Sequence, residues 1–151
     1  MLRNTLNDAL KTAMRERDAA TTSTLRMILA ALKDRDIAAR PKGITTGIGD
    51  DEIASMLQGM IKQRRESIEM YQKGNRADLV DKESAEITVI ERFLPQQMDD
   101  SAVVAAIDAA IAAVGAASVK DMGKVMAELK ARFAGQMDFS KASGLVKQRL
   151  G

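Results

Sequence analysis

The stretch SVKDMGKVMAELKARFAG, residues 118 to 135, contains a Gly-Lys pair of the kind that ends a phosphate-binding loop. Such a loop needs glycines whose backbone amides surround the phosphates, followed by Lys and then Ser or Thr at the start of a helix. Here Val125 follows Lys124, and no strand pattern precedes the pair. Apolar residues at helical spacing run through it instead: Val119, Met122, Met126, Leu129 and Phe133. The pattern predicts a helix with Lys120 and Lys124 on its solvated face, not a nucleotide site.

Basic residues dominate the C-terminal part of the chain. Residues 115 to 151 hold seven Lys or Arg against three acids, a surplus of four in a chain of net charge +2. Because there is no Trp and only one Tyr, a platform for stacking nucleic-acid bases is missing. We expect phosphate-led binding of folded RNA such as tRNA, without sequence-specific reading of DNA. The expected contacts are Lys120, Lys124, Lys130, Lys141, Lys147 and Arg149. A basic face that meets only solvent is the alternative.

A second cationic candidate is Arg64, within the segment KQRRES. Apolar residues define a buried helix face that also contains Arg64: Ile53, Leu57, Met60, Ile68 and Tyr71. A desolvated guanidinium requires carboxylate partners, which Glu83 and Glu86 on the next predicted helix supply. The spacing predicts a structural salt bridge between the helices. A substrate site built from the same three residues is the alternative.

The composition excludes several classes of enzyme. The chain has no cysteine and no histidine, so thiolate nucleophiles, histidine bases and the usual zinc sites cannot be assembled. We predict no catalytic residues, no metal site and no cofactor. No segment approaches 18 apolar residues, and the N-terminus lacks a continuous apolar core, so we expect a cytoplasmic protein that does not enter a membrane.

The periodicity of apolar residues predicts an all-α protein with no sheet. We expect a helical N-terminal domain at residues 1–95 and a small three-helix tail domain at residues 96–151, because Pro95 and two following acids mark a boundary. Asp18 and Asp50 are expected to cap helices, and Gly74 to end one. The glycine-rich segment 40 to 49 is predicted to be an exposed, mobile loop.

Several motifs in order resemble the YqeY family, whose members are also called GatB/YqeY domain proteins. They are STLRMILAALKDRDI, MIKQRRESIEMYQKGNRADLVDKESAEI, ERFLPQQM, KDMGKVMAELKAR and LVKQRL, which together cover nearly the whole chain. The resemblance implies a helical N-terminal part joined to a helical tail similar to that of the GatB subunit of tRNA-dependent amidotransferases, where the tail helps to hold tRNA. The glycine-rich loop at 43 to 49 and Gly144 depart from the pattern without removing a motif.

Three functions follow from these observations. The first is a non-catalytic binding or adaptor protein with a tRNA-binding-like tail, whose partners are tRNA or other folded RNA and an amidotransferase or tRNA-processing complex. The second is a component of glutamine-dependent amide transfer, a carbon-nitrogen ligase activity with glutamine as amido-N-donor. The third is a protein-interaction module. The residues favour the first, because amide transfer needs an amidase nucleophile and an acceptor activated by nucleotide and metal, and neither set is recognisable.

Overall fold

The computed structural model describes all of residues 1–151 and contains seven α-helices, two short 3-10 helices and no strand. The predicted all-α fold is therefore confirmed. The α-helices are α1 (Leu2–Arg15), α2 (Ala19–Ala39), α3 (Asp50–Lys73), α4 (Ala77–Glu91), α5 (Asp100–Val114), α6 (Met122–Phe133) and α7 (Phe139–Leu150). The 3-10 helices are Arg40–Lys42 and Val119–Asp121.

The chain divides into two compact units, Met1–Leu94 and Pro95–Gly151. The N-terminal unit consists of two helical hairpins, α1 with α2 and α3 with α4, and α2 also packs on α4. Its core is made of long aliphatic side chains: Leu6, Leu25, Ile28, Leu32, Ile53, Leu57, Ile61 and Ile90. The C-terminal unit packs α5, α6 and α7 around a core in which Ala and Val make up six of nine buried residues: Val103, Ala106, Ile107, Ala110, Val125, Leu129, Met137, Ala142 and Val146.

Of the two helix caps predicted at Asp18 and Asp50, the structure contains the first. Asp18 caps α2 by accepting a hydrogen bond from the amide of Thr21, as predicted. The prediction that Asp50 caps α3 is wrong, because Gly49 holds the cap position and Asp50 is the first helical residue. The Asp50 carboxylate instead accepts a hydrogen bond from the amide of Leu2, 3.1 Å away. Asp50 therefore joins the start of α3 to the start of α1.

Three helices end in the same way. Beyond α1, α3 and α5, a residue with positive φ lets the next amide bond back to a carbonyl of the last turn. Gly115 fills this position after α5 with φ 65°, Asn75 fills it after α3 with φ 55°, and Arg17 fills it after α1 with φ 56°. Glycine and asparagine are the usual residues in this conformation. Arg17 is the unusual choice.

The predicted exposed loop at residues 40 to 49 is corrected by the structure. Residues Arg40–Lys42 form a 3-10 helix, and Ile48 is buried, with 5% of its surface exposed. The Asp36 carboxylate holds this segment, because its Oδ1 accepts a hydrogen bond from the Ile48 amide at 2.9 Å. Arg3 donates to both oxygens of Asp36, at 2.6 and 3.0 Å, and to the Ile48 carbonyl at 3.1 Å. Contacts between distant residues thus fix one end of a glycine-rich segment.

Candidate functional site

The Gly-Lys pair lies in the first turn of α6 and follows a 3-10 helix. A capping box joins Ser118 and Asp121 across that 3-10 helix. The Asp121 carboxylate accepts hydrogen bonds from the amides of Ala117 at 2.9 Å and Ser118 at 3.3 Å, and these bonds hold its pKa below the usual value. Gly123 and Lys124 therefore belong to a capped helix start.

The predicted apolar stripe of this segment is partly wrong. It assumed one continuous helix from Val119, but α6 begins at Met122, and Val119 is 42% exposed. Val125 and Leu129 are fully buried, so the core-facing side of α6 passes through Val125, which the sequence pattern missed. A 3-10 helix rotates about 120° per residue, against about 100° in an α-helix, and this difference shifts the register of the apolar face. Lys120 consequently lies in the turn and not on α6.

The six predicted nucleic-acid-binding residues are all exposed, but they differ in their partners. Two are engaged across the unit: Lys141 bonds Asp100 at 2.8 Å, and Arg149 bonds Asp108 at 3.4 Å. The bond from Lys141 also holds the pKa of Asp100 below its usual value. The start of α7 thus pairs with the start of α5, and the end of α7 pairs with a later turn of α5. The two helices therefore run parallel.

The other four predicted residues form no ion pair: Lys120, Lys124, Lys130 and Lys147. The remaining cation of this part of the chain, Arg132, bonds Glu128 at 2.7 Å on the same helix. The positive charge that forms no ion pair therefore belongs to lysines of the 3-10 turn, α6 and α7, and of these Lys124 helps to lower the pKa of Asp121 through its charge.

Two of these lysines, Lys120 and Lys147, lie at the same end of the C-terminal unit. The last residue, Gly151, lies beside Val119, such that a Cβ on residue 151 would be 3.6 Å from Val119 Cγ2. Lys120 is the neighbour of Val119, and Lys147 is one helical turn before Gly151, whose amide bonds the Lys147 carbonyl at 2.9 Å. Around Gly123, no atom would lie within 4 Å of an added Cβ, so the backbone there is open to approach.

Sequence reasoning missed the acidic partners of Lys141 and Arg149. Asp100 and Asp108 are eight residues apart on α5, as are Lys141 and Arg149 on α7. Matched spacing of opposite charges on two helices is a signal for paired salt bridges between parallel helices. The matched spacing can be recognised in the sequence, whereas the parallel arrangement of α5 and α7 cannot.

The N-terminal unit brings together the three residues of the predicted salt bridge. Arg64 Nε lies 2.9 Å from Glu86 Oε2 and 3.9 Å from Glu83 Oε2, and Arg64 Nη1 donates to the Met60 carbonyl at 3.1 Å. The side chains of Arg64 and Glu86 are only 12% and 13% exposed. The group joins α3 to α4, and Arg64 engages both carboxylates in ion pairs.

The structure also bears on metals and membranes. No group of three or more His, Cys, Asp or Glu side chains is placed to hold a metal ion. No single helix has the length and apolar character to cross a bilayer. One pair, α5 with the segment Val119–Phe133, meets those criteria only when taken together, and it is bent by 94°.

Helical hairpins in one unit, and a three-helix unit with unpaired lysines in the other, define an all-α protein of two units. The chain belongs to the YqeY family, because the match to that family, described as Yqey-like protein, covers residues 3–150. The resemblance noted from the sequence motifs is therefore confirmed.

Fungal proteins are among the relatives. The chain is 37% identical over 93 residues to altered inheritance of mitochondria protein 41, mitochondrial, from Lachancea thermotolerans, covering 60% of this chain and 46% of the relative. Its counterpart in Meyerozyma guilliermondii is 39% identical over 93 residues, covering 60% and 45%. An uncharacterized protein of Schizosaccharomyces pombe is 32% identical over 96 residues, covering 64% and 71%. The chain thus spans about half the length of the two inheritance proteins.

Proposed function

We propose that this YqeY protein is a non-catalytic binding protein whose C-terminal unit holds folded RNA, such as tRNA, by its phosphates. The observation that carries the proposal is the division of the cations into two groups. Lys141 and Arg149 are neutralised by acids of α5, whereas four exposed lysines are left without an ion pair. Lysines of this kind bind phosphates as mobile point charges, without base-specific geometry.

The adaptor part of the proposal concerns the partner that receives the RNA. An amidotransferase or a tRNA-processing complex would supply the chemistry, since this chain has neither a histidine nor a cysteine. The likeness of the tail to that of GatB, which the resemblance of the sequence motifs implies, supports this choice. The cytoplasmic location expected from the sequence stays a prediction, and two relatives carry the word mitochondrial in their names.

The test is a titration of labelled tRNA with the full chain at several salt concentrations. Each phosphate contact contributes roughly 0.7–0.9 to the slope of log affinity against log salt. For the double variant Lys120→Ala, Lys124→Ala we expect weaker binding and a slope reduced by about two or less.

The matched control is the double variant Lys141→Ala, Arg149→Ala, which removes the same charge. Because Asp100 and Asp108 already offset those cations, we expect a smaller change of slope than for Lys120 and Lys124. Absence of tRNA binding at low salt would refute RNA binding and leave a protein-interaction module. One slope shared by all three proteins would mean that Lys120 and Lys124 do not contact the phosphates.

A further inference from the structure

An open groove of about 700 Å³ lies between α1 and α2 in the N-terminal unit. Six of its eight lining residues belong to α2. The lining consists of the apolar Met14, Ala19, Met27 and Ala30, the polar Thr22 and Ser23, and the cationic Arg17 and Arg26. The methionines are unusually exposed, Met14 by 52% and Met27 by 38%. Methionine side chains adapt their shape to a partner, so this lining suits a binding surface.

The exposed side of α2 carries apolar residues beside the exposed polar residues Ser23, Arg26 and Asp34. Leu25, Ile28 and Leu32 are buried and face the core. On the outer side, Met27 is followed by Ala30 and by Ile37, which is 47% exposed. A surface helix is normally polar on the side away from the core. The apolar residues of this side are available to a second molecule.

The charges at the groove are of one sign. The side chains of Arg17 and Arg26 form no hydrogen bond and no ion pair, and no carboxylate lines the groove. An arginine presents a rigid fork of donors that fits a carboxylate with two hydrogen bonds. Two such forks beside an apolar floor match a ligand that has apolar side chains flanked by Asp or Glu.

Arg17 adds an independent observation, because its backbone is strained. It occupies the left-handed position after α1 with φ 56°, where Gly115 and Asn75 stand after α5 and α3. Glycine would fit this position at lower conformational cost. The arginine side chain makes no hydrogen bond and no ion pair within the chain, and it lines the groove. Strain at such a residue points to a role in binding.

We propose that the α1–α2 groove binds an amphipathic helix of a partner protein. The apolar face of that helix would enter between Met14 and Met27, and its flanking Asp or Glu residues would pair with Arg17 and Arg26. A groove between two helices accommodates a third helix, which is a recurring mode of peptide recognition. The apolar floor is poorly suited to RNA, and a concave surface is poorly suited to a flat bilayer. This surface belongs to the N-terminal unit and is independent of the RNA proposal.

The test uses the full chain and a labelled synthetic peptide of about 16 residues, with Leu at helical spacing and Glu on both flanks. A matched peptide replaces every Glu by Gln. We expect the Glu peptide to bind in the micromolar range and to lose about tenfold or more in the double variant Arg17→Glu, Arg26→Glu. The control is Arg35→Glu, also an exposed and unpaired arginine of α2, on the opposite side of the helix from Arg26; it should change affinity by less than about twofold.

Two further readouts locate the bound peptide. In spectra of methyl-labelled methionine, the signals of Met14 and Met27 should shift on binding, whereas that of Met70, 72% exposed on α3, should not. The variant Arg17→Gly should raise the melting temperature, because it relieves the left-handed strain, and at the same time weaken peptide binding. A structural role alone would not move stability and binding in opposite directions.

Several results would overturn the proposal. Equal affinity for the Glu and Gln peptides, or no loss in the double arginine variant, would exclude charge recognition. A shift of Met70 without Met14 and Met27 would place the peptide elsewhere. Binding to vesicles of anionic lipid without peptide binding would assign the surface to a membrane. Self-association that Met27→Asp abolishes, without peptide binding, would assign it to a second copy of this chain.

Discussion

At the scale of single residues, the half-buried charges of the N-terminal unit are satisfied by more than one partner. Arg64 has Glu86 at 2.9 Å, Glu83 at 3.9 Å and the Met60 carbonyl at 3.1 Å. A buried ion costs several kcal/mol when a partner is removed, roughly 3–5 for a fully buried pair. Because a second acid stands behind Glu86, the loss of one acid leaves Arg64 partly compensated, whereas the loss of Arg64 leaves both acids without a cation.

This arrangement predicts an order of stabilities. We expect Arg64→Met to lower the free energy of unfolding by about 2–3 kcal/mol and Glu86→Leu by about 1–2 kcal/mol. The double variant should lose less than the sum of these two losses. Urea denaturation measures all three. The control is the exposed pair of Arg65 and Glu91, 65% and 45% exposed, where single substitutions should cost less than about 1 kcal/mol. Strictly additive losses at Arg64 and Glu86 would show that the pair is not coupled.

Asp36 predicts how stability depends on pH. The hydrogen bonds from Arg3 hold the pKa of Asp36 below the ordinary value of 3.8, and the Ile48 amide adds to this. A carboxyl whose pKa is lowered by folding contributes stability above its unfolded pKa, and this is lost as pH falls through the folded value.

Urea midpoints measured between about pH 6 and pH 2 should therefore fall less steeply below pH 3.8 in Asp36→Asn than in the wild type. Asp34→Asn, at an exposed residue of the same helix that forms no ion pair, is the control and should retain the wild-type slope. An unchanged slope in Asp36→Asn would mean that Arg3 does not act on the Asp36 carboxyl.

At the scale of elements, apolar periodicity and caps were enough to predict helices and several of their ends. Asp18 before α2 and Gly74 after α3 are local signals, and α2 begins directly after Asp18 while α3 ends directly before Gly74. The start of α6 was missed because a 3-10 turn and a continuing α-helix carry almost the same apolar pattern. The anchoring of Ile48 was missed because its partners, Arg3 and Asp36, are distant in sequence. Of the candidate site, the residue types were predictable, but their pairing depended on tertiary packing.

The glycine-rich segment between α2 and α3 tests that anchoring directly. Gly43 and Gly47 both have positive φ, 88° and 98°. A Cβ at residue 43 would meet nothing within 4 Å, whereas at residue 47 it would lie 2.5 Å from Arg3 Nη2 and 3.1 Å from Asp36 Oδ1. Gly43→Ala should cost about 1 kcal/mol for the backbone alone. Gly47→Ala should cost about 1–2 kcal/mol more, because it also displaces the Arg3–Asp36 ion pair.

Thermal denaturation compares the stabilities of Gly43→Ala and Gly47→Ala. The same two substitutions made in Arg3→Gln show whether the ion pair causes the difference. In that background the ion pair is already lost, so the difference between Gly47→Ala and Gly43→Ala should shrink. A difference that persists in Arg3→Gln would attribute the cost to the backbone at Gly47 instead of to the anchoring of the segment.

At the scale of the whole molecule, the two units have separate cores with different chemistry. The core of Met1–Leu94 is mainly Leu and Ile, nine of its thirteen buried residues, whereas the core of Pro95–Gly151 is mainly Ala and Val; the two sets share no residue. Smaller side chains remove less apolar surface from water, and each Å² removed stabilises the fold by about 25 cal/mol. The unit that carries the lysines of the RNA proposal therefore gains less from each buried side chain than the unit that carries the α1–α2 groove.

Separate cores predict that damage to one unit stays within it. Leu57 and Leu129 are both fully buried leucines, one in each core, so Leu57→Ala and Leu129→Ala make the same chemical change. Each should destabilise its own unit by about 2–5 kcal/mol through lost contacts and a residual cavity. Native-state hydrogen exchange should show this as reduced protection in α1–α4 for Leu57→Ala and in α5–α7 for Leu129→Ala, with the other unit changed by less than about 0.5 kcal/mol. Equal loss of protection in both units would mean that they unfold as one, and each proposed binding surface would then depend on the stability of the other unit.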